Sequence, residues 1–288
     1  MIKVYNGFGA TKIGASVILN RFKKYGYDAS FINEDDIKNN NALADPALQL
    51  IVFGGQSVTQ FKQALGEEGS QAIQSYVQQG GKYLGICAGG YFGAEDIDFE
   101  GQDFFTKHTY QKQTKGLGFF NGLARGSLLE ILPWRYTGAT DSAKVINLKD
   151  ETGKAFRSLY WGGGAFIPQE SSPDLTPIAF YQAEDGNEIT IGVQCSVGDK
   201  GGQATLLGYH PEISTFDLSQ WLTTGHSAEY TGGTYADKVI AGSQDIDAPK
   251  ESINLAFGML IDKLNLQKPK TEKPQFKTTK ALFSNLTP

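Results

Sequence analysis

Residues 80–92 read Gly80-Gly81-Lys82-Tyr83-Leu84-Gly85-Ile86-Cys87-Ala88-Gly89-Gly90-Tyr91-Phe92. Lys82–Ile86 is an apolar run of strand length, the pattern of a strand buried on both faces of a parallel sheet. A helix predicted over Ala88–Ala94 follows with no room for a loop, so the chain must reverse at Cys87. A sharp strand-to-helix reversal with glycines two residues either side of a nucleophile is a nucleophile elbow. Those two positions are the crowded ones, and Gly85 and Gly89 relieve the crowding by carrying no side chain. Cys87 would then sit at a helix N-terminus, where the dipole and unpaired N–H groups favour a thiolate. The competing reading is a buried structural cysteine, a common fate of a free thiol.

Working outward, Ile2–Tyr5 and Ala29–Ile32 read as strands separated by a helix over Lys12–Tyr25. Leu48–Phe53 is a third strand, ending in Gly54-Gly55, and Ser57–Gln79 a helix broken at Gly66. This β-α-β-α-β alternation predicts an open, mostly parallel α/β sheet with helices on both faces. After about Glu95 the chain becomes rich in Gly, Phe and Thr, with β-like runs at Ser127–Leu132 and Lys144–Leu148. A β-rich insertion is therefore expected over about 95–175. Pro177–Tyr181, Glu188–Cys195 and Ala204–Gly208 follow as strands, and Lys250–Leu264 as a last helix. One α/β domain over 1–266 is expected, then a C-terminal tail over 267–288. Five lysines, one glutamate and three prolines beyond Leu266 are the composition of a flexible segment.

The formal net charge is −5, and no basic stripe precedes the tail, so no nucleic-acid partner is expected. Two cysteines, Cys87 and Cys195, are too few for a disulfide framework and form no C-x-x-C pair. No run of about 20 apolar residues predicts a membrane span, and Met1 leads directly into strand sequence rather than a signal peptide. The expectation is a cytoplasmic chain with no membrane partner. Cys195 lies in the alternating run ITIGVQCSV and reads as a core residue. His108 and His226 stand in polar stretches and read as surface histidines. Isolated histidines give no metal site, and no cofactor is expected.

Tyr209-His210-Pro211-Glu212 follows the strand at Ala204–Gly208, at the end where α/β sheets place their sites. A thiol needs an imidazole to take its proton, and the imidazole needs a carboxylate to fix its tautomer. His210 and Glu212, two residues apart, can share one side of an extended segment. The alternative is a turn with an exposed His and Glu. Gly54 and Gly55 lie at the end of a neighbouring strand, where an N–H could pair with that of Ala88, beside Gly89, as an oxyanion hole. A plain turn is the alternative there too.

The runs IVFGGQS, GGKYLGICAGGYF and LLGYHPEIS resemble class I glutamine amidotransferases, a flavodoxin-like α/β class with a Cys elbow and a His-Pro-Glu motif. VYNGFGATKIGAS, GICAGGYF, Trp161-Gly162-Gly163-Gly164-Ala165-Phe166 and VQCSVGDKGGQATLLGYHPE are more similar to one branch, the amidotransferase-like N-terminal domain of biotin–protein ligases. The resemblance spans most of residues 1–265. It implies Cys87 as nucleophile, His210 as base and Glu212 as its orienting group. It also suggests Gly163 and Gly164 as backbone lining the cleft, with a plain loop as the alternative. Tyr91 and Trp161 would shape the pocket or belong to the core. The family's glutamine, four residues after the nucleophile, is Tyr91 here, which argues against free glutamine as substrate. Neither a GRGRxG-type adenylate loop nor a KWPND-like segment is present, so ligase chemistry is not expected.

The expected function is cleavage or transfer of an amide or ester acyl group through a Cys87 thioester, with a small-molecule substrate. Two rivals stand beside it. One is a non-catalytic metabolite-binding or regulatory module, and the other an amidotransferase subunit that passes ammonia to a partner enzyme.

Overall fold

All four residues of the Leu50–Phe53 strand and the last four of Lys82–Ile86 are buried, and alternate side chains enter two different cores. Leu50, Val52, Leu84 and Ile86 join Ile2, Val4 and Leu207 beneath Ile18, Phe22 and Phe257. Ile51, Phe53 and Tyr83 face the other way, with Tyr5 and Leu206, onto Phe61, Leu65, Ile73 and Val77. Helices therefore cover both faces, which is what a continuous apolar strand requires.

The computed structural model describes residues 1–39, 41–102, 106, 108–132, 135–137, 142–170, 174–213 and 252–268. The expected tail beyond residue 268, and His226, lie outside them. The first part alternates β1 (Ile2–Tyr5), α1 (Lys12–Lys24), β2 (Ala29–Ile32), α2 (Glu34–Lys38), β3 (Leu50–Phe53), α3 (Val58–Gln78), β4 (Lys82–Ile86) and α4 (Ala88–Gly93). Then come β5 (Ala94–Gln102), β6 (Thr109–Lys115), β7 (Phe120–Gly126), β8 (Ala143–Lys149), β9 (Ala155–Trp161) and β10 (Ala165–Pro168). β11 (Leu175–Gln182), β12 (Glu188–Val197), β13 (Gly202–Leu207) and α5 (Ser252–Leu264) complete the described strands and α-helices.

Local chemistry sets the helix boundaries. The Thr11 hydroxyl accepts from the Gly14 N–H at 3.1 Å and caps α1. Ser57 does the same for α3 through Gln60, and Gly66, at φ 62° and ψ −163°, makes the expected break within it. Such side-chain N-caps are each worth about 1 kcal/mol.

The main sheet has nine strands in the order β2-β1-β3-β4-β13-β12-β11-β8-β9, and a second sheet has the order β10-β7-β5-β6. β2, β1, β3, β4 and β13 run parallel, whereas β12, β11, β8 and β9 add antiparallel. The sheet is thus mixed, and its parallel half is the one that carries Cys87. Residues 95–175 are β-rich, as expected: β5, β6, β7 and β10 build the small sheet, and β8 and β9 join the large one. One expectation is corrected: Ser127–Leu132 is not a strand. The N–H groups of Ile131 and Leu132 return to the Leu128 carbonyl at 3.2 and 3.1 Å, and all three side chains are buried. Their apolar character is that of a turn tucked into the core.

Candidate active site

β4 stops at Ile86 and α4 starts at Ala88, so Cys87 alone makes the reversal, at φ 55° and ψ −111°. A non-glycine residue there costs on the order of 1–3 kcal/mol and persists only where its surroundings impose it. They do so here. The Cys87 N–H donates to the Leu207 carbonyl at 2.8 Å, and its carbonyl accepts from Tyr91 at 3.1 Å. The buried Tyr83 hydroxyl donates to the Gly89 carbonyl at 2.8 Å. A β-carbon on Gly85 would lie 2.2 Å from the Gly89 carbonyl oxygen, and one on Gly89 2.0 Å from that of Phe53. Close backbone approach, rather than an unusual φ, is what demands glycine at both positions.

β13 ends at Leu207, and the chain beyond it pairs with β9, the His210 N–H donating to the Leu159 carbonyl at 2.8 Å. Gly208 makes this possible, because a β-carbon there would sit 2.0 Å from the Gly164 carbonyl oxygen. His210 Nδ1 lies 2.8 Å from Glu212 Oε1, with the side chains 12% and 2% exposed. From α1, Arg21 Nε donates to the Glu212 carbonyl at 2.8 Å. A β-carbon on Gly55 would lie 3.4 Å from His210 Cε1 and 3.8 Å from Cys87 Sγ. Imidazole, thiol and Gly55 therefore converge on one point.

The imidazole binds its proton tightly. Burial opposes its charge, but the Glu212 carboxylate and Cys87 outweigh burial and hold its pKa at about 10. Nε2 is buried and makes no hydrogen bond of ordinary geometry. The thiol beside it is turned to the Trp161 carbonyl, 3.5 Å away. Cys195 is different: it is buried in β12, and desolvation pushes its pKa up to about 12.

The remaining expected site residues divide. Gly55 and Ala88 stand beside Cys87, and Ala88 is the first residue of a helix, whose N–H finds no partner within that helix. The Gly54 carbonyl accepts from the Gly89 N–H at 3.0 Å, which fastens α4 to β3. Gly163 and Gly164 are buried, with β-carbon positions 2.1 Å from the Gly208 carbonyl oxygen and 2.7 Å from the Tyr91 ring. Close packing against Gly208 and Tyr91 is what requires glycine at both positions. Tyr91 is buried, its ring edge-on to Phe99, and its hydroxyl donates to the Gly162 carbonyl at 3.2 Å. Tyr160 donates to the Gly163 carbonyl at 3.0 Å, so two tyrosines hold the 162–163 turn and, next to it, the Trp161 carbonyl. That carbonyl had no sequence signal, since every residue has one. Among the described residues, no three His, Cys, Asp or Glu side chains gather as a metal site. No helix there is long and apolar enough to cross a membrane.

A cysteine elbow beside a His-x-Glu segment on the parallel half of a flanked sheet defines an amidotransferase-like α/β protein. Two solved structures agree in fold. One titled glutamine amidotransferase has a TM-score of 0.50 at 13% identity, over 78% of this chain and 98% of that one. A glutamine amidotransferase from Thermotoga maritima has a TM-score of 0.50 at 12% identity, over 91% and 96%. Within that class the chain belongs to the family described as biotin-protein ligase, N terminal, whose model matches residues 1–283. A biotin–protein ligase of Schizosaccharomyces pombe is 28% identical over 220 residues, 74% of this chain and 33% of that protein. An uncharacterized protein of Chlamydia muridarum is 31% identical over 153 residues, 52% of this chain and 56% of that one. The matches thus span a third of the yeast ligase and just over half of the chlamydial protein.

Proposed function

We propose that the chain cleaves or transfers the acyl group of an amide or ester through a thioester on Cys87. The observation that carries this is the placement of His210 between the Glu212 carboxylate and the Cys87 thiol. In this reading Cys87 Sγ attacks the substrate carbonyl carbon as a thiolate paired with the protonated His210 ring, whose Nε2, buried and otherwise without a partner, holds the proton for the leaving group. Glu212 keeps the ring's other nitrogen engaged and stabilises the imidazolium. The carbonyl oxygen, now negative, is met by the N–H groups of Ala88 and Gly55. Collapse expels the amine or alcohol, which takes the proton from His210. Water, activated by the same imidazole, then releases the acid and restores the thiol.

Tyr91 argues against free glutamine, because it stands where related amidotransferases carry a glutamine side chain and is committed to the 162–163 turn. A second reading, a metabolite-binding or regulatory module, is favoured by the near closure over His210 and by the Trp161 carbonyl engaging the thiol. Steady-state hydrolysis of a panel of amides and aryl esters separates the two. The expected result is turnover of at least one acyl compound, lost in Cys87→Ser and reduced about 100-fold or more in His210→Gln, with free glutamine at least about tenfold poorer. Turnover unchanged in Cys87→Ser would refute the proposal, and efficient glutamine hydrolysis would refute the argument from Tyr91.

A further inference from the structure

Cys87 lies between groups of opposite character. β3, which leads into Gly54-Gly55, borders β4 on one side, and β13 borders it on the other. The chain beyond β13 pairs with β9 through His210 and Leu159. At the end of β9, the Trp161 carbonyl oxygen reaches to 3.5 Å from Cys87 Sγ. The N–H groups proposed to meet the oxyanion thus come from the β3 side and from the start of α4. A hydrogen-bond acceptor comes from the far side.

That acceptor is held in place. Gly162, which follows it, has φ 72°, and a β-carbon there would lie 2.4 Å from the Tyr136 ring. The Tyr91 hydroxyl donates to the Gly162 carbonyl at 3.2 Å, and the Tyr160 hydroxyl to that of Gly163 at 3.0 Å. Tyr160 is itself fixed by the Leu128 N–H, which donates to its hydroxyl at 2.7 Å. A carbonyl tethered in this way is a preorganised group rather than one that turns aside for a ligand.

Once Sγ bonds to a carbonyl carbon, the substituents of that carbon lie two bonds from sulfur, within hydrogen-bond reach of the Trp161 oxygen. The oxyanion is not the one that faces it, because two electron-rich oxygens repel. In a trans amide the N–H points away from the C=O. An oxyanion turned to Gly55 and Ala88 therefore turns the N–H towards Trp161. That hydrogen stays on the nitrogen throughout, since the departing amine takes its additional proton from His210. An ester puts an alkoxy oxygen in the same place, with lone pairs only, and a tertiary amide puts carbon there.

We infer that the Trp161 carbonyl accepts the N–H of the scissile amide, so that the site selects primary and secondary amides over esters and tertiary amides. This rests on the thioester reading of Cys87, yet it is tested without turnover. Cys87 is treated with N-benzylcyanamide and with N-benzyl-N-methylcyanamide. The thiolate adds to the nitrile carbon and the nitrile nitrogen takes a proton, giving an isothiourea with no leaving group. The two reagents differ in one N–H on the attacked carbon. Each adduct rate, read by intact mass, is divided by the rate of the same reagent with N-acetylcysteine. The N–H reagent should be favoured about fivefold, the worth of one well-placed hydrogen bond. The preference should fall below about twofold in Tyr91→Phe, which releases the Gly162 carbonyl and lets the peptide before it turn. Where Tyr91→Phe does not fold, Tyr160→Phe, which releases the Gly163 carbonyl, is read in the same way. Equal normalised rates, or a preference that the tyrosine variant leaves unchanged, would overturn the inference while Cys87 stands as a nucleophile. No adduct with either reagent would mean that Cys87 does not attack, and the thioester reading would fall together with the inference.

Discussion

Iodoacetamide at pH 7.5 should modify Cys87 at least about 100-fold faster than Cys195. Cys195 is 4% exposed in β12, and burial pushes its pKa to about 12. Only on the order of one in 10⁴ to 10⁵ of its molecules would then carry the reactive thiolate at that pH. Cys87 is partly exposed, stands at a strained turn and lies beside an imidazole that keeps its proton up to about pH 10. His210→Ala should remove about tenfold or more of the Cys87 rate, and Glu212→Gln less, because the carboxylate acts through the ring. As pH passes about 10 the imidazolium is lost, and the advantage over the His210→Ala protein should shrink. Stability carries the same sign. A histidine whose pKa rises on folding stabilises the fold fully below its unfolded value of about 6.5, and that contribution fades as pH rises towards 10. Thermal midpoints should therefore fall between pH 7 and 10 more steeply in the wild type than in His210→Gln. Equal, slow labelling of both thiols in the folded protein would mean that Cys87 is inert.

A large loss of stability is expected on substitution of Gly89. A β-carbon there would meet the Phe53 carbonyl oxygen at 2.0 Å and the Phe53 Cβ at 2.9 Å. Phe53 cannot yield easily. It is fully buried and stacked on Tyr5 at 4.5 Å, with Phe61 edge-on at 5.3 Å. Gly89→Ala should cost about 3 kcal/mol or more, as overpacking against a backbone does. Gly153→Ala is the comparison. It has φ 83° and open space around it, so only backbone strain of about 1 kcal/mol is expected. Urea denaturation of the two variants gives the difference directly. A Gly89→Ala protein as stable as Gly153→Ala would show that the elbow is not packed as described.

The half of the fold that carries the site was the more legible. β1 and β4 occur at the expected residues because their side chains are largely buried on both faces, so an apolar run marks them with no partner known, and β2 also occurs where expected although it is an edge strand with Phe31 exposed. β3 begins two residues later than expected, at Leu50. β5 and β6 gave little signal. Thr109–Lys115 is polar and largely exposed, and it exists as a strand through its register with β5, Asp96 opposite Lys115 to Gln102 opposite Thr109. The attachment of β8 and β9 to the main sheet depends on pairing with β11, distant in sequence. At the candidate site, the nearness of Cys87, His210 and Glu212 was legible because an elbow and a His-x-Glu spacing need particular residue types. The close backbone contacts of Gly54, Gly89, Gly163 and Gly164 were not legible, since a close backbone contact and an opening for a ligand leave the same residue type. The approach of the Trp161 carbonyl to Cys87 depends on how segments meet in space.

The central claim, that Cys87 becomes acylated, is tested most directly by intact-mass measurement of the folded protein mixed with p-nitrophenyl hexanoate and quenched in acid over a time course. The expected result is one hexanoyl group per chain, mapped to Cys87, which forms and then decays as the acid is released. It should be absent in Cys87→Ser and form more slowly in His210→Gln. No acyl group on Cys87, or acylation that His210→Gln leaves unchanged, would contradict the assignment of Cys87, His210 and Glu212 as a working catalytic group.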